Sequence, residues 1–141
     1  EGAGGRRATA RRGAAWWCSV RVVCVTPPMA VFAVIRDSET LEIIESAGAF
    51  SIDSLAGSQQ DISERLAKKG GPEKMDGVVT HPGVTGAPIV EGSIAHMDCT
   101  LHRSYDGGDH VILVGEIKQA LVGEPLPPLL YFRSAYKTVA D

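Results

Sequence analysis

Val20, Val22, Val23 and Val25 open a strongly β-like stretch that the Pro27-Pro28 pair interrupts. Met29 to Ile35 (MAVFAVI) then forms a short continuous apolar run, the pattern of a strand buried on both faces. Asp37 and Ser38 can cap a helix carrying Leu41, Ile43 and Ile44, which Gly48 stops. Ala49 to Leu55 alternates again and reads as a strand. A second helix is expected from about Ser58 to Lys69, with Ile62 and Leu66 on one face and Gly70-Gly71-Pro72 ending it. The Gly- and Pro-punctuated segment 73–88 reads as a surface loop holding a short strand. Ser93 to Arg103 alternates, with Ala95, Met97, Cys99 and Leu101 on one face and the mostly polar Ile94, His96, Asp98, Thr100 and His102 on the other. A turn at Asp106-Gly107-Gly108 joins this run to a second long strand, His110 to Val122, so the pair reads as a hairpin. Pro125, Pro127 and Pro128 lead to a last short strand or turn at LLYF. Many strands with two helices, and no βαβ alternation, point to a mainly β barrel.

The chain has 141 residues, enough for one core, and 44% of them are hydrophobic and 22% charged, as in ordinary globular proteins. The net charge of -3 gives no electrostatic reason for a nucleic acid partner. No apolar run approaches the roughly 20 residues of a spanning helix, so no membrane span is expected. Three cysteines make no disulfide framework, and free thiols fit a reducing, cytoplasmic setting. The charge is uneven: residues 1–25 hold five arginines (Arg6, Arg7, Arg11, Arg12, Arg21) against the single acid Glu1. Residues 1–15 contain no large apolar side chain and read as a disordered or artefactual leader, with the folded domain spanning 16–141.

The chemistry-bearing residues match no common catalytic or metal pattern. No G-x-G-x-x-G sits between a strand and a helix, and there is no P-loop. His96, Cys99 and His102 match no common zinc spacing, and on a strand His96 and His102 face away from Cys99. No G-x-S-x-G nucleophile or suggestive carboxylate pair is present. Spacing alone names no catalytic residue, no metal site and no reaction.

Several motifs in order nevertheless resemble one family. Thr26-Pro27-Pro28-Met29 followed by AVFAVIRDSET is similar to a Pro-Pro, apolar strand, Ser-x-Thr element. AGAFSIDSLAGSQQDIS (Ala47 to Ser63) is similar to a G-x-F-x-V-N-V-L strand with a Gln-led helix. Gly108-Asp109-His110 with VILVGEI resembles a Gly-Asp-His hairpin, and Pro128-Leu129-Leu130-Tyr131 with Tyr136 resembles a P-L-L-Y…Y ending. From about Thr26 to Val139 the chain thus resembles the flavin reductase family, small NAD(P)H-dependent reductases with an FMN-binding split barrel.

The resemblance implies a Greek-key split β-barrel of about six antiparallel strands with two helices. It implies reduction of FMN (or FAD) by NADH or NADPH, a homodimer, and delivery of reduced flavin to a separate oxygenase component. A flavin-binding or partner-binding barrel without turnover is the alternative. Hydride transfer to a flavin asks mainly for ring stacking, so an acid–base dyad is not required. The flavin-binding residues so implied are Ser19, Ser38, Thr40, Phe50, Ile52, Asp53, Gln59, His110 and Tyr136. Ser38 and Thr40, at a strand-to-helix junction, either hold the flavin phosphate or cap the helix. His110 either meets flavin or nicotinamide, or bonds hairpin backbone. Asp53 stands where the family has Asn and can accept a hydrogen bond but, ionised, cannot donate one. Ahead of Pro27 the family's flavin-cradling segment is replaced by GAAWWCSVRVVCV, on which only Ser19 and Val23 match. A fragment, or a shifted reading frame near the start, would account for that departure and for the upstream strand the resemblance leads one to expect.

Overall fold

A computed structural model of the chain describes residues 20–139, so the leader, Trp16, Trp17 and the implied flavin residue Ser19 lie outside the described residues. Two strands, β1 (Val20–Val25) and β2 (Pro28–Ile35), precede α1 (Glu39–Ala47) and β3 (Ala49–Ser54). A 3-10 turn over 57–59 feeds α2 (Gln60–Leu66), shorter than the helix expected over 58–69. A second 3-10 turn over 72–75 and a small pair, β4 (Thr80–Pro82) and β5 (Pro88–Val90), occupy the expected loop. The long hairpin β6 (Ala95–Gly107) and β7 (His110–Val122) lies where the alternation places it, and β8 (Leu130–Phe132) pairs with β9 (Ala135–Lys137) at the end. The main sheet has the order β1-β2-β7-β6-β3, antiparallel throughout. The architecture is mainly β with two helices. No helix among the described residues is long and apolar enough to cross a membrane.

The core forms where β2, β3, β6 and β7 turn small and large apolar side chains toward α1. Ala30, Phe32, Val34, Phe50, Cys99, Val111 and Leu113 are buried with Leu41 and Ile44 of the helix. Phe32 and Phe50 meet edge to face with centroids 4.9 Å apart, the favoured aromatic geometry. Gly115 lies beneath them, since a Cβ there would come within 2.3 Å of Phe50 Cζ. Ser38 starts α1 by accepting the Thr40 amide at 3.2 Å, and Gly48 ends it at φ 66, a left-handed cap.

Two strand readings are corrected. Met29 to Ile35 is buried on one face only: Ala30, Phe32 and Val34 point inward while Ala33 and Ile35 are exposed, because α1 covers one side of β2. Asp98, which the alternation places on the mostly polar face, is fully buried. Cys99 faces the core, and the other face is roofed at Asp98 by the β4–β5 turn. The Asp98 carboxylate accepts the Thr85 amide at 3.0 Å and the Thr85 hydroxyl. A Cβ at Gly83 would lie 2.3 Å from Asp98 Oδ2, so the roof sits directly on the carboxylate.

Candidate functional site

The residues singled out by sequence fall into two groups, separated along the thirteen residues of β6. At one end His110 pairs with Gly107 across the hairpin and with Ile35 of β2. At the other, Asp53 pairs with His96. At about 3.3 Å per residue the strand path between these ends is tens of ångströms long.

The hairpin end holds Ser38, Thr40 and His110. Gly108 takes φ 80, which the tight turn requires. His110 Nδ1 lies 2.8 Å from Asp109 Oδ1, and this bond is the main reason the Asp109 carboxyl sits below its ordinary range. With a carboxylate as partner, Nδ1 carries the proton, and in the neutral ring Nε2 is left as an acceptor. Arg36 closes the turn. Its backbone N–H donates to Asp109 O at 2.9 Å, and its Nε and Nη2 donate to Gly108 O at 3.1 and 3.0 Å. Nη2 also pairs with the Asp106 carboxylate, which accepts the Gly108 amide at 3.1 Å. Ser38, partly buried, uses its oxygen as the cap acceptor, leaving the hydroxyl proton able to donate to an anion. Thr40 is buried in the first turn of α1.

The second group is engaged within the fold. Phe50 is core, and Ile52 packs against that core. Asp53 accepts the Val90 amide at 3.1 Å and the Ser51 hydroxyl at 2.8 Å, stapling β3 to β5. Burial pushes the Asp53 carboxyl up, against those two bonds and the pull of His96 and His81. Gln59 Oε1 accepts the Ala56 amide at 2.9 Å and its Nε2 donates to Glu91 O at 2.7 Å, fastening the entry to α2. Tyr136 donates to the buried Ser63 hydroxyl at 2.9 Å and packs on Tyr131, docking the last hairpin onto α2. An open cleft between α2 and the 77–79 segment, lined by Ile62, Arg65, Val78 and Glu91 among others, includes none of these residues.

The structure thus brings Ser38, Thr40 and His110 to one end and leaves Phe50, Gln59 and Tyr136 with structural partners. Arg36 and Asp109 stand in the motifs quoted from the sequence, but sequence reasoning gave them no site role. The signal was an acidic turn, Asp106 and Asp109 around two glycines, that needs a cation. The hairpin end offers a helix N-terminus with a Ser38 hydroxyl proton the cap does not use, a donor suited to phosphate, and an imidazole Nε2 that can accept from an amide.

The mainly β sheet carries its longest hairpin to a clamped, glycine-rich turn with an oriented imidazole. The chain belongs to the flavin reductase-like family: the family model described as a flavin reductase like domain matches residues 3–140. It is 35% identical over 120 residues to the flavin-dependent monooxygenase reductase subunit HsaB of Mycobacterium tuberculosis, covering 84% of this chain and 64% of that protein. The chain therefore spans less than two thirds of the length of that curated relative. Among solved structures, a nitrilotriacetate monooxygenase component B homologue from Mycobacterium thermoresistibile superposes with TM-score 0.80 at 32% identity, covering 88% of this chain and 70% of that one. The NADH:FAD oxidoreductase SgcE6 of Streptomyces globisporus superposes with TM-score 0.79 at 27% identity, covering 87% of this chain and 75% of that one. The fold is the split β-barrel of these flavin reductases.

Proposed function

We propose that this chain is the reductase component of a two-component oxygenase, transferring hydride from NADH or NADPH to FMN or FAD. The observation that carries this reading is the Gly108-Asp109-His110 turn, with its imidazole tautomer fixed by Asp109, on a chain similar to reductase subunits of flavin-dependent monooxygenases. A flavin supplies the hydride-accepting chemistry when bound. The chain's own residues would bind and orient. The Ser38 hydroxyl would donate to phosphate at the start of α1. His110 Nε2 would accept from the nicotinamide carboxamide, and the buried face of the sheet would give a rigid frame. Asp53 is the weakest of the implied contacts, since both its oxygens already serve β3 and β5.

A homodimer belongs to the same proposal. Val22, Val23 and Val25 of β1 are exposed, and β1 ends the five-stranded sheet among the described residues. An apolar edge strand of this kind favours association with a second copy. Sedimentation at micromolar protein should give a dimer; monomer alone would contradict this part. Cytoplasmic location is the setting we propose.

The visible spectrum of the purified chain with FMN or FAD, before and after NADH or NADPH, tests the activity. Bleaching of the flavin band by one of the nicotinamides supports the reductase. Flavin binding without bleaching supports the non-catalytic barrel instead.

A further inference from the structure

We propose that Arg36 is the positioning residue for His110, holding the Asp106–His110 turn in the shape that presents the imidazole to the nicotinamide. The proposal rests on the reductase reading above. Arg36 is the first residue after β2, next to Ile35, whose ladder partner is His110. Its backbone amide and guanidinium together reach four residues of the turn. They bond the Asp109, Gly108 and His110 carbonyls, the last at 3.4 Å, and the Asp106 carboxylate. A Cβ at Gly108 would meet nothing within 4 Å, so the tip is not packed from outside, and these bonds add to the Gly107–His110 ladder pair in holding its shape. Carbonyl oxygens and a carboxylate arranged around one planar group match the guanidinium fork. A lysine ammonium, a single point of charge, cannot span the same set. The Asp109 side chain then fixes the ring; the backbone amide of residue 36 holds the Asp109 carbonyl whatever the side chain, and the guanidinium holds Gly108, His110 and Asp106 on either side of it, so the fork sets the imidazole direction at one remove.

The test is a double-mutant cycle on the full chain loaded with FMN, using Arg36→Lys, His110→Ala and the double variant, with NAD+ affinity measured by calorimetry. Arg36→Lys keeps the charge and loses the fork. It should weaken NAD+ about tenfold, as a displaced binding group does, while FMN affinity changes less than about twofold. In the His110→Ala background the same change should have little further effect, because Arg36 acts through that ring. Multiplying effects, or undiminished NAD+ binding, would overturn the proposal. A second readout needs no cofactor: the His110 ring resonance in NMR should move in Arg36→Lys while those of His81 and His96 stay. An unmoved His110 resonance sinks the positioning role even if the wild-type chain binds no NAD+, an outcome that would by itself sink only the reductase reading. Asp109→Asn offers a variant with the Arg36 bonds intact, and it should shift the same resonance.

Discussion

Ser51 has one hydroxyl proton and two acceptors: Asp53 Oδ2 at 2.8 Å and Pro88 O at 2.6 Å. With Asp53 ionised, one of the two goes without. With a proton on Oδ2, the chain closes: Asp53 donates to Ser51, Ser51 to Pro88, and Oδ1 still accepts the Val90 amide. Asn at 53 reproduces the closed arrangement at every pH, its amide nitrogen taking the place of the protonated oxygen. Asp53→Asn should therefore stabilise the fold at pH 7 by about 1 kcal/mol, one net hydrogen bond, raising Tm by about 4 °C for a domain of this size. Burial raises the Asp53 carboxyl above its ordinary range, so the folded state binds this proton more tightly than the unfolded one. The stabilisation from that proton is fully present below the unfolded carboxylate pKa of about 3.9 and is lost as pH rises through the folded value. The advantage of Asn should accordingly shrink as pH falls from 7 to about 4. Thermal unfolding of both proteins across this range is the assay. A variant no more stable at pH 7, or a gain that stays constant with pH, would refute the hydrogen-bond reasoning.

Three other outcomes follow from the geometry. Gly115→Ala places a Cβ 2.3 Å from Phe50 Cζ and 3.2 Å from Cys99 Cβ, so denaturant unfolding should show a loss of about 1–3 kcal/mol from overpacking; a neutral result would mean that Phe50 can move aside. Burial pushes the Cys99 thiol up to about 12, so maleimide should leave Cys99 unlabelled in the folded protein while exposed Cys24 reacts. Peptide mapping that finds both labelled at equal rates would contradict the buried placement. Ser38→Ala should weaken FMN about tenfold more than riboflavin, which lacks the phosphate, if the hydroxyl donates to an anion; equal weakening of both flavins would leave Ser38 as a helix cap alone.

The elements that sequence reveals best here are those whose period is long and unbroken. The β6–β7 hairpin announces itself through alternation on one side of a glycine turn and a β-rich run on the other, and α1 through its cap, its apolar spacing and Gly48. Faces are harder to read, because they depend on what a distant segment does. Nothing near Asp98 signals that Thr85 and Gly83 will roof it, and nothing within Met29 to Ile35 says that a single helix, on one side, will cover it. Both misreadings come from long-range packing overriding a local pattern.

Site residues are harder still, since a motif fixes where a side chain stands and not what it is bonded to. Gln59 and Tyr136 fall on resembling motifs, yet in the fold each closes a structural hydrogen bond, to Ala56 ahead of the 3-10 turn and to Ser63. Asp53 shows how the two uses interact. An amide at that position can accept the Val90 N–H and donate to Ser51 without a buried charge, and a carboxylate can do so only by holding a proton. Its place against β5 is therefore enough to explain a preference for Asn there, with or without a flavin beside it. At the hairpin the logic runs the other way. Asp109 and Arg36 are exposed, their bonds add little to stability at a solvated surface, and yet they converge on one short turn and one imidazole. Ordering long, exposed side chains around an otherwise unpacked loop is costly in entropy. On the reductase reading proposed above, orienting a ligand is what offsets that cost, since the core that holds the fold lies elsewhere.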